Sequence, residues 1–225
     1  MNQNLIINYF NKIRYVYGQN LFLNPQTVQK YRLSSNKNTI SDDIYNYKNK
    51  ICDCIKCPLG KTRTNLVFGS GNPKSGIMII GEAPGEKEDE IGEPFVGKSG
   101  KMLDRILSAL QLKRDSDVYI TNVVKCRPAN NRDPLPSEVE KCEPHLKKQI
   151  NIIKPKIIVA LGRVAGKTLL KVDAKLKDMR GRLFEYHNIP LFVTYHPAAL
   201  LRNPNLKASA WEDFQAIKNF FRDND

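Results

Sequence analysis

The sequence predicts an α/β domain: a largely parallel sheet with helices on both faces. Three observations point there. Short apolar runs of strand length recur along the chain, segments with helical apolar spacing separate them, and loops rich in Gly, Pro and polar residues follow them. Strands that alternate with helices build parallel sheets covered on both sides.

Taken in order, Ile77–Ile80 reads as the first buried strand, with a Gly- and Pro-rich loop behind it. Ser99 is expected to cap a helix whose apolar face is Met102, Leu103, Ile106, Leu107 and Leu110. Val118–Thr121 is the second strand. Ser137, with Glu140 three residues later, reads as a capping box opening a helix to about Ile153. Ile157–Leu161 is the third strand, followed by a short helix, and Leu191–Thr194 is the fourth. A final helix carries Trp211, Phe214, Ile217 and Phe220. Ligands of such sheets bind beyond the carboxyl ends of strands. The loops expected there are GEAPG, TNVVKCRP and YHPAALLR, and no internal repeat interrupts the pattern.

The start of the chain differs. Residues 1–47, rich in Asn, Tyr and Lys, read as an appended segment: one amphipathic helix (Leu5, Ile6, Tyr9, Phe10, Ile13) and a polar linker. Residues 48–225 form the main domain, with Ser41-Asp42-Asp43 as a helix start leading towards the cysteines.

Composition narrows the function classes. A chain of 225 residues, 41% of them hydrophobic, buries a full core. Its apolar runs are far too short to span a bilayer, and the N-terminus lacks a basic start with a small-residue cleavage site. A soluble, cytoplasmic protein without a membrane partner is therefore expected. Thirty-six Lys and Arg against twenty-three Asp and Glu give a net charge of +13, which favours a polyanionic partner. A lysine-rich composition throughout accounts for the same excess without one.

The cysteines are Cys52, Cys54, Cys57, Cys126 and Cys142. In a reducing compartment such clustering points to metal ligation or redox chemistry rather than disulfides. Cys54-x-x-Cys57 supplies two ligands from one turn, and Cys126 and Cys142 follow later. Four thiolates suit an iron–sulfur cluster or a zinc ion equally well by count. A redox CxxC pair with two unrelated buried cysteines is the other reading, and Cys52 is a possible alternative ligand.

Three loops, taken together and in order, resemble the family 4 uracil-DNA glycosylases. The matching segments are Gly81-Glu82-Ala83-Pro84-Gly85-Glu86-Lys87-Glu88-Asp89 with Gly92-Glu93-Pro94-Phe95-Val96-Gly97, then Ile120 to Pro128, and His196-Pro197-Ala198-Ala199-Leu200-Leu201-Arg202. The likeness runs from about Cys54 to Phe220. It implies a three-layer α/β/α sandwich around a four-stranded, mainly parallel sheet. It also implies a [4Fe–4S] cluster on Cys54, Cys57, Cys126 and Cys142, with Cys52 free, and hydrolysis of the N-glycosidic bond of deoxyuridine in DNA. Uracil-containing DNA is then the partner, a monomer is expected to suffice, and no nucleotide cofactor is called for, since Gly69-Ser-Gly precedes the strand and lacks the P-loop spacing.

The resemblance also distributes roles. A glycosylase takes its target nucleotide out of the stack and reads the exposed edge in a pocket. Phe95 resembles the ring on which uracil stacks. Asn122 offers a donor and an acceptor matching O4 and N3–H of uracil, a pattern that cytosine reverses. His196 is placed to donate to O2 as charge develops on the leaving base. Glu82 is the candidate carboxylate for the sugar cation and the attacking water, or acts with Ala83 through its backbone. Glu88 is expected to crowd C5 and exclude thymine. Leu200, with Leu201 beside it, resembles the apolar wedge that fills the gap in the duplex. Arg132, Arg202 and Lys98 are candidates for phosphate contact.

Two alternatives remain. A covalent-trapping relative would need a histidine in the loop Arg127 to Pro136, which has none. A DNA-binding module without catalysis would keep the fold and the cysteines alone. A generic α/β hydrolase is disfavoured, because no Gly-x-Ser-x-Gly elbow is present.

Overall fold

The computed structural model describes residues 39–224. The helix expected over Leu5 to Ile13 and the linker up to residue 38 lie outside them.

Six strands form one sheet: β1 (Ser70–Gly71), β2 (Ile77–Gly81), β3 (Tyr119–Asn122), β4 (Ile157–Leu161), β5 (Leu183–Tyr186) and β6 (Ile189–Thr194). Their order is β1-β3-β2-β4-β6-β5. The inner four are parallel and correspond to the four expected strands, each within two residues of its expected bounds. The expected count of four was too low, because an antiparallel strand closes each edge. Strand β1 is only two residues long, and β5 is exposed at alternate positions, so neither carries the continuous apolar signal of a doubly covered strand. β5 joins β6 through His187 and Asn188, both at positive φ (51° and 63°), the backbone of a two-residue hairpin turn.

Strands β2 and β4 are buried along their whole length. Side-chain alternation sends Met78, Ile80, Ile158 and Ala160 to one face, where they meet Leu146, Ile150 and Ile153 of the helix Pro136–Ile153. Ile77, Ile79, Ile157 and Val159 face the other way, against Leu103 and Leu107 of the helix Lys98–Ala109 and Phe214 and Ile217 of Lys207–Asp223. The three layers follow from that alternation, and each such buried side chain contributes ~1.5–3 kcal/mol.

The helix Ile40–Ile51 spans the 47/48 position and buries Ile44 and Ile51 in the first of these cores. The compact unit begins at Ile40.

Two helix starts differ from expectation. The helix at Lys98 is preceded by Gly97 as its cap, with Ser99 inside the first turn. The helix at Pro136 starts one residue before Ser137, and Glu138, not Glu140, reaches back to accept the Leu135 N–H at 2.8 Å. Proline at the first helical position suits that start, since its missing N–H would have had no partner. Among the described residues no helix is long and apolar enough to cross a membrane.

In the sheet order β2 has β3 on one side and β4 on the other. The connection leaving β2 runs to β3 on one side and that leaving β4 runs to β5 and β6 on the other, which opens a crevice between their loops.

Candidate active site

A cleft of about 580 Å³ occupies that crevice. Glu82 and Ala83 enter it from the end of β2, Asn122 from the end of β3, Gly162 and Arg163 from the end of β4, and His196 from just beyond β6. Parallel strands deliver all their carboxyl ends to one edge, so residues up to 114 positions apart (from 82 to 196) meet there. Phe95, Glu88, Lys98, Arg132 and Arg202 complete the sequence-predicted members of the lining.

Asn122 is 1% exposed, and its Oδ1 has no hydrogen-bond partner among the described residues. A buried acceptor left unpaired costs about 1–3 kcal/mol, so such an atom beside a cleft is built for a ligand's donor. The floor beneath it is Gly81. A Cβ there would collide with Asn122 Oδ1 and stand 2.5 Å from Phe95 Cζ. Gly81→Ala is therefore expected to lower the melting temperature by several degrees, as overpacking of about 1–3 kcal/mol would, and to weaken binding of free uracil at least about tenfold, measured by thermal melting and by fluorescence or calorimetric titration.

Phe95 holds φ at +55°, a conformation that costs a bulky residue of order 1–3 kcal/mol. The surroundings enforce it. Arg114 donates to Pro94 O at 3.2 and 3.3 Å and to Phe95 O, and is itself held by Asp104 at 3.0 Å. Glu88 pins the other side of the loop: its Oε1 accepts the N–H groups of Val96 (2.9 Å) and Gly97 (2.8 Å). The observed work of Glu88 is thus to fix the loop that carries the ring. The Phe95 and His196 rings lie 5.5 Å apart between centroids, tilted by 33°.

His196 caps the helix Pro197–Arg202, and its Nδ1 accepts the Ala198 N–H at 3.1 Å. That bond leaves the ring proton on Nε2 as a donor. Burial, with Arg202 adding to it, pushes the imidazole down to about 4, so it is neutral at physiological pH. The β6 end is braced from behind. Asp213 accepts from Thr194 Oγ1 (2.7 Å) and Arg180, whose guanidinium lies over the Tyr195 ring. Gly162, at φ +90°, lets the β4 turn pass His196, where a Cβ would come within 2.9 Å of His196 Cβ.

Glu82 is the most perturbed carboxyl in the cleft. Burial first, then the charge and hydrogen bond of Asp133, push it up to about 7, against the lowering effect of Arg163. Arg163 holds Asp133 at 3.1 Å. Neither Asp133 nor Arg163 was singled out in the sequence, where both read as ordinary loop charges.

The DNA-contact candidates divide. Lys98 and Arg202 line the cleft, while Arg132, also lining it, is bound through both nitrogens to Glu138 at 2.6 and 2.8 Å. Leu200, the expected wedge, is 2% exposed, whereas Leu201 is 43% exposed. Leu200 is thus covered in the free protein, and Leu201 beside it is the leucine exposed at this helix.

Cys54, Cys57, Cys126 and Cys142 lie near enough for their charges to act on one another. Burial pushes up both Cys126 and Cys142, the latter to about 11, and the neighbouring thiolate charges of Cys54 and Cys57 act on Cys126 in the same direction. Cys126 Sγ accepts from Arg63 at 3.2 Å and Cys142 Sγ from the Lys125 N–H at 3.3 Å. Cys52 is exposed, and its thiol donates to Asn49 O instead. A histidine joins the cysteines in the fold: His145, 91 positions beyond Cys54, has its Nε2 3.3 Å from Cys54 Sγ and its Nδ1 2.7 Å from Tyr47 Oη. Its place on the helix Pro136–Ile153, three residues after Cys142, was the available signal.

Known proteins bear on this arrangement. A model of the uracil DNA glycosylase superfamily matches residues 68–215. The chain is 47% identical over 179 residues to a type-4 uracil-DNA glycosylase of Pyrobaculum aerophilum, which covers 76% of this chain and 91% of that protein. It is 47% identical over 186 residues to a type-4 uracil-DNA glycosylase of Sulfurisphaera tokodaii (79% and 84% covered), and 45% over 184 residues to that of Archaeoglobus fulgidus (78% and 90%).

Proposed function

The chain belongs to the uracil DNA glycosylase superfamily, within it to the type-4 uracil-DNA glycosylases, and from that membership we propose that it hydrolyses the N-glycosidic bond of deoxyuridine in DNA. The observation that carries the reading is the buried, unpaired Asn122 Oδ1 in a cleft shared with Phe95, His196 and Glu82.

Each group has a chemical task. Asn122 accepts from N3–H of the extruded uracil and donates to O4, and Phe95 supplies a face for the ring. Neutral His196 donates from Nε2 to O2, where negative charge collects as the C1′–N1 bond lengthens. An anionic Glu82 stabilises the positive sugar and takes a proton from the attacking water. Lys98 and Arg202 meet phosphates, Leu201 enters the stack, and the net charge of +13 adds a sequence-independent attraction.

We further propose that Cys54, Cys57, Cys126 and Cys142 hold a [4Fe–4S] cluster. By count four thiolates suit a zinc ion as well as a cluster, and membership of the type-4 family favours the cluster. The N–H groups directed at Cys126 and Cys142 and the neighbouring Lys125 ammonium suit an anionic sulfur cage. The cluster would anchor the loop that carries Asn122 and supply no step of the hydrolysis.

The test uses the full chain, purified anaerobically, on oligonucleotides carrying one uracil, thymine or hypoxanthine, with an iron assay alongside. Release of free uracil, with thymine left intact and iron bound, is expected. Tight DNA binding without release of uracil would instead identify a non-catalytic binding module.

A further inference from the structure

Two carboxyl groups and one guanidinium share the Glu82 side of the cleft, and the reaction as described uses only one of them. Glu82 follows β2, Asp133 lies in the loop between the 3-10 turn Ala129–Asn131 and the helix Pro136–Ile153, and Arg163 opens the helix that follows β4. Arg163 binds Asp133 Oδ2 at 3.1 Å, both partners about half or more exposed at the side chain, and all three residues line the same cleft. Sharing that wall of the cleft, the Asp133 carboxylate lies near enough to Glu82 for its charge to act on it. Two carboxylates in contact do not both stay ionised without a cation beside them. Here the guanidinium is paired with Asp133, and burial together with the nearby Asp133 favours the protonated form of Glu82.

The consequence falls on the hydrolytic step. Breaking C1′–N1 sends the bonding pair out with uracil, and the water oxygen forms the new bond to C1′. The water must give up a proton, and a protonated Glu82 cannot take it. An ionised Glu82 receives that proton and afterwards releases it to solvent.

We propose that Asp133, oriented by Arg163, is a positioning residue that governs the protonation of Glu82 and thereby sets the pH at which excision begins. This rests on Glu82 being the carboxylate of the reaction. The other charged groups of the cleft are Glu88, Lys98, Arg132 and Arg202, with His196 neutral. Glu88 is engaged with Val96 and Gly97 and Arg132 with Glu138, and Asp133 and Arg163 are the charges that act most strongly on Glu82.

The two neighbours push in opposite directions, which makes the test sharp. Single-turnover excision by the full chain is measured between about pH 5 and 9 for the wild type, Asp133→Asn, Arg163→Gln and Glu82→Gln. The wild-type rate should rise through about pH 7. Asp133→Asn removes the like charge, so its rising limb moves to lower pH and at about pH 6 its rate, relative to its own plateau, exceeds that of the wild type. Arg163→Gln moves the limb to higher pH. Glu82→Gln is slow and lacks the limb. A merely structural role for Asp133 would lower the plateau and leave the limb where it was, and that outcome overturns the inference. Should Arg163→Gln fail to fold, the direction of the Asp133→Asn limb decides alone. A wild type that releases no uracil at any pH, or a Glu82→Gln variant that keeps the wild-type limb, overturns the role of Glu82 instead and is distinguishable from the first result.

Discussion

Replacing His196 with alanine is expected to lower the single-turnover rate of uracil excision by about 10²–10³-fold, the loss that follows removal of one preorganised donor to a developing oxyanion. The local structure explains why so much rests on one side chain. Nδ1 is occupied by the Ala198 N–H, so the ring has one orientation and one donor. Burial keeps the imidazole neutral, and its value of about 4 places its titration below the working range. The variant should therefore be slow at every pH above about 5, and the shape of its pH profile should stay that of Glu82. Duplex affinity, carried by Lys98, Arg202 and the overall charge, should hardly change. Asn122→Ala is the useful comparison. In the proposed site Asn122 would contact uracil before as well as during bond breaking, so its loss should raise KM and lower kcat together, while His196→Ala acts mainly on kcat. Near-normal excision by both variants would dismiss the assigned site.

The parallel part of the sheet was legible because strands covered on both faces are written as continuous apolar runs, and Ile157–Leu161 is such a run. The edges were not. Ser70–Gly71 is too short to carry any pattern, and Leu183–Tyr186 shows its apolar residues partly to solvent. Helix starts misled for a specific reason. A serine is the local capping signal, yet here the loop before Lys98 is fixed by the remote Glu88, and Leu135 is reached by Glu138. The site divided along the same line. Glu82, Phe95, Asn122 and His196 sit in distinctive segments and meet in one cleft. Asp133, Arg163 and Arg114 carry no local signature, since they matter only through what folding sets beside them. Leu200 and Leu201 are adjacent and alike in sequence, and only burial tells them apart.

Replacing Cys142 with alanine should abolish iron binding and destabilise the domain together, whereas Cys52→Ala should do neither. Cys52 is exposed and bonds only locally, so its loss removes nothing the interior depends on. Cys142 is 7% exposed on the helix Pro136–Ile153 and accepts the Lys125 N–H. Lys125 is the critical neighbour. Its side chain is fully buried, donating to Thr121 Oγ1 at 2.7 Å and to Asn122 O at 2.6 Å. Burial pushes the ammonium down to about 7, and the charges of Cys142 and Cys126 oppose that. Stripping the anionic sulfurs from around a buried cation has the character of breaking a buried ion pair, which costs about 3–5 kcal/mol. For a chain of this size that corresponds to a melting temperature lower by roughly 10 °C, at about 2–4 °C per kcal/mol. The same loss should reach the cleft, because Lys125 holds the carbonyl of Asn122, whose amide is assigned to the base in the proposed function. Iron content, visible absorption and thermal melting of the two variants, purified side by side without oxygen, check this. Full iron in Cys142→Ala would remove that thiol from the ligand set, and a Cys52→Ala protein without iron would put Cys52 into it. A Cys142→Ala protein that lost its iron yet melted like the wild type would separate the cluster from the fold and leave Lys125 balanced by some other charge.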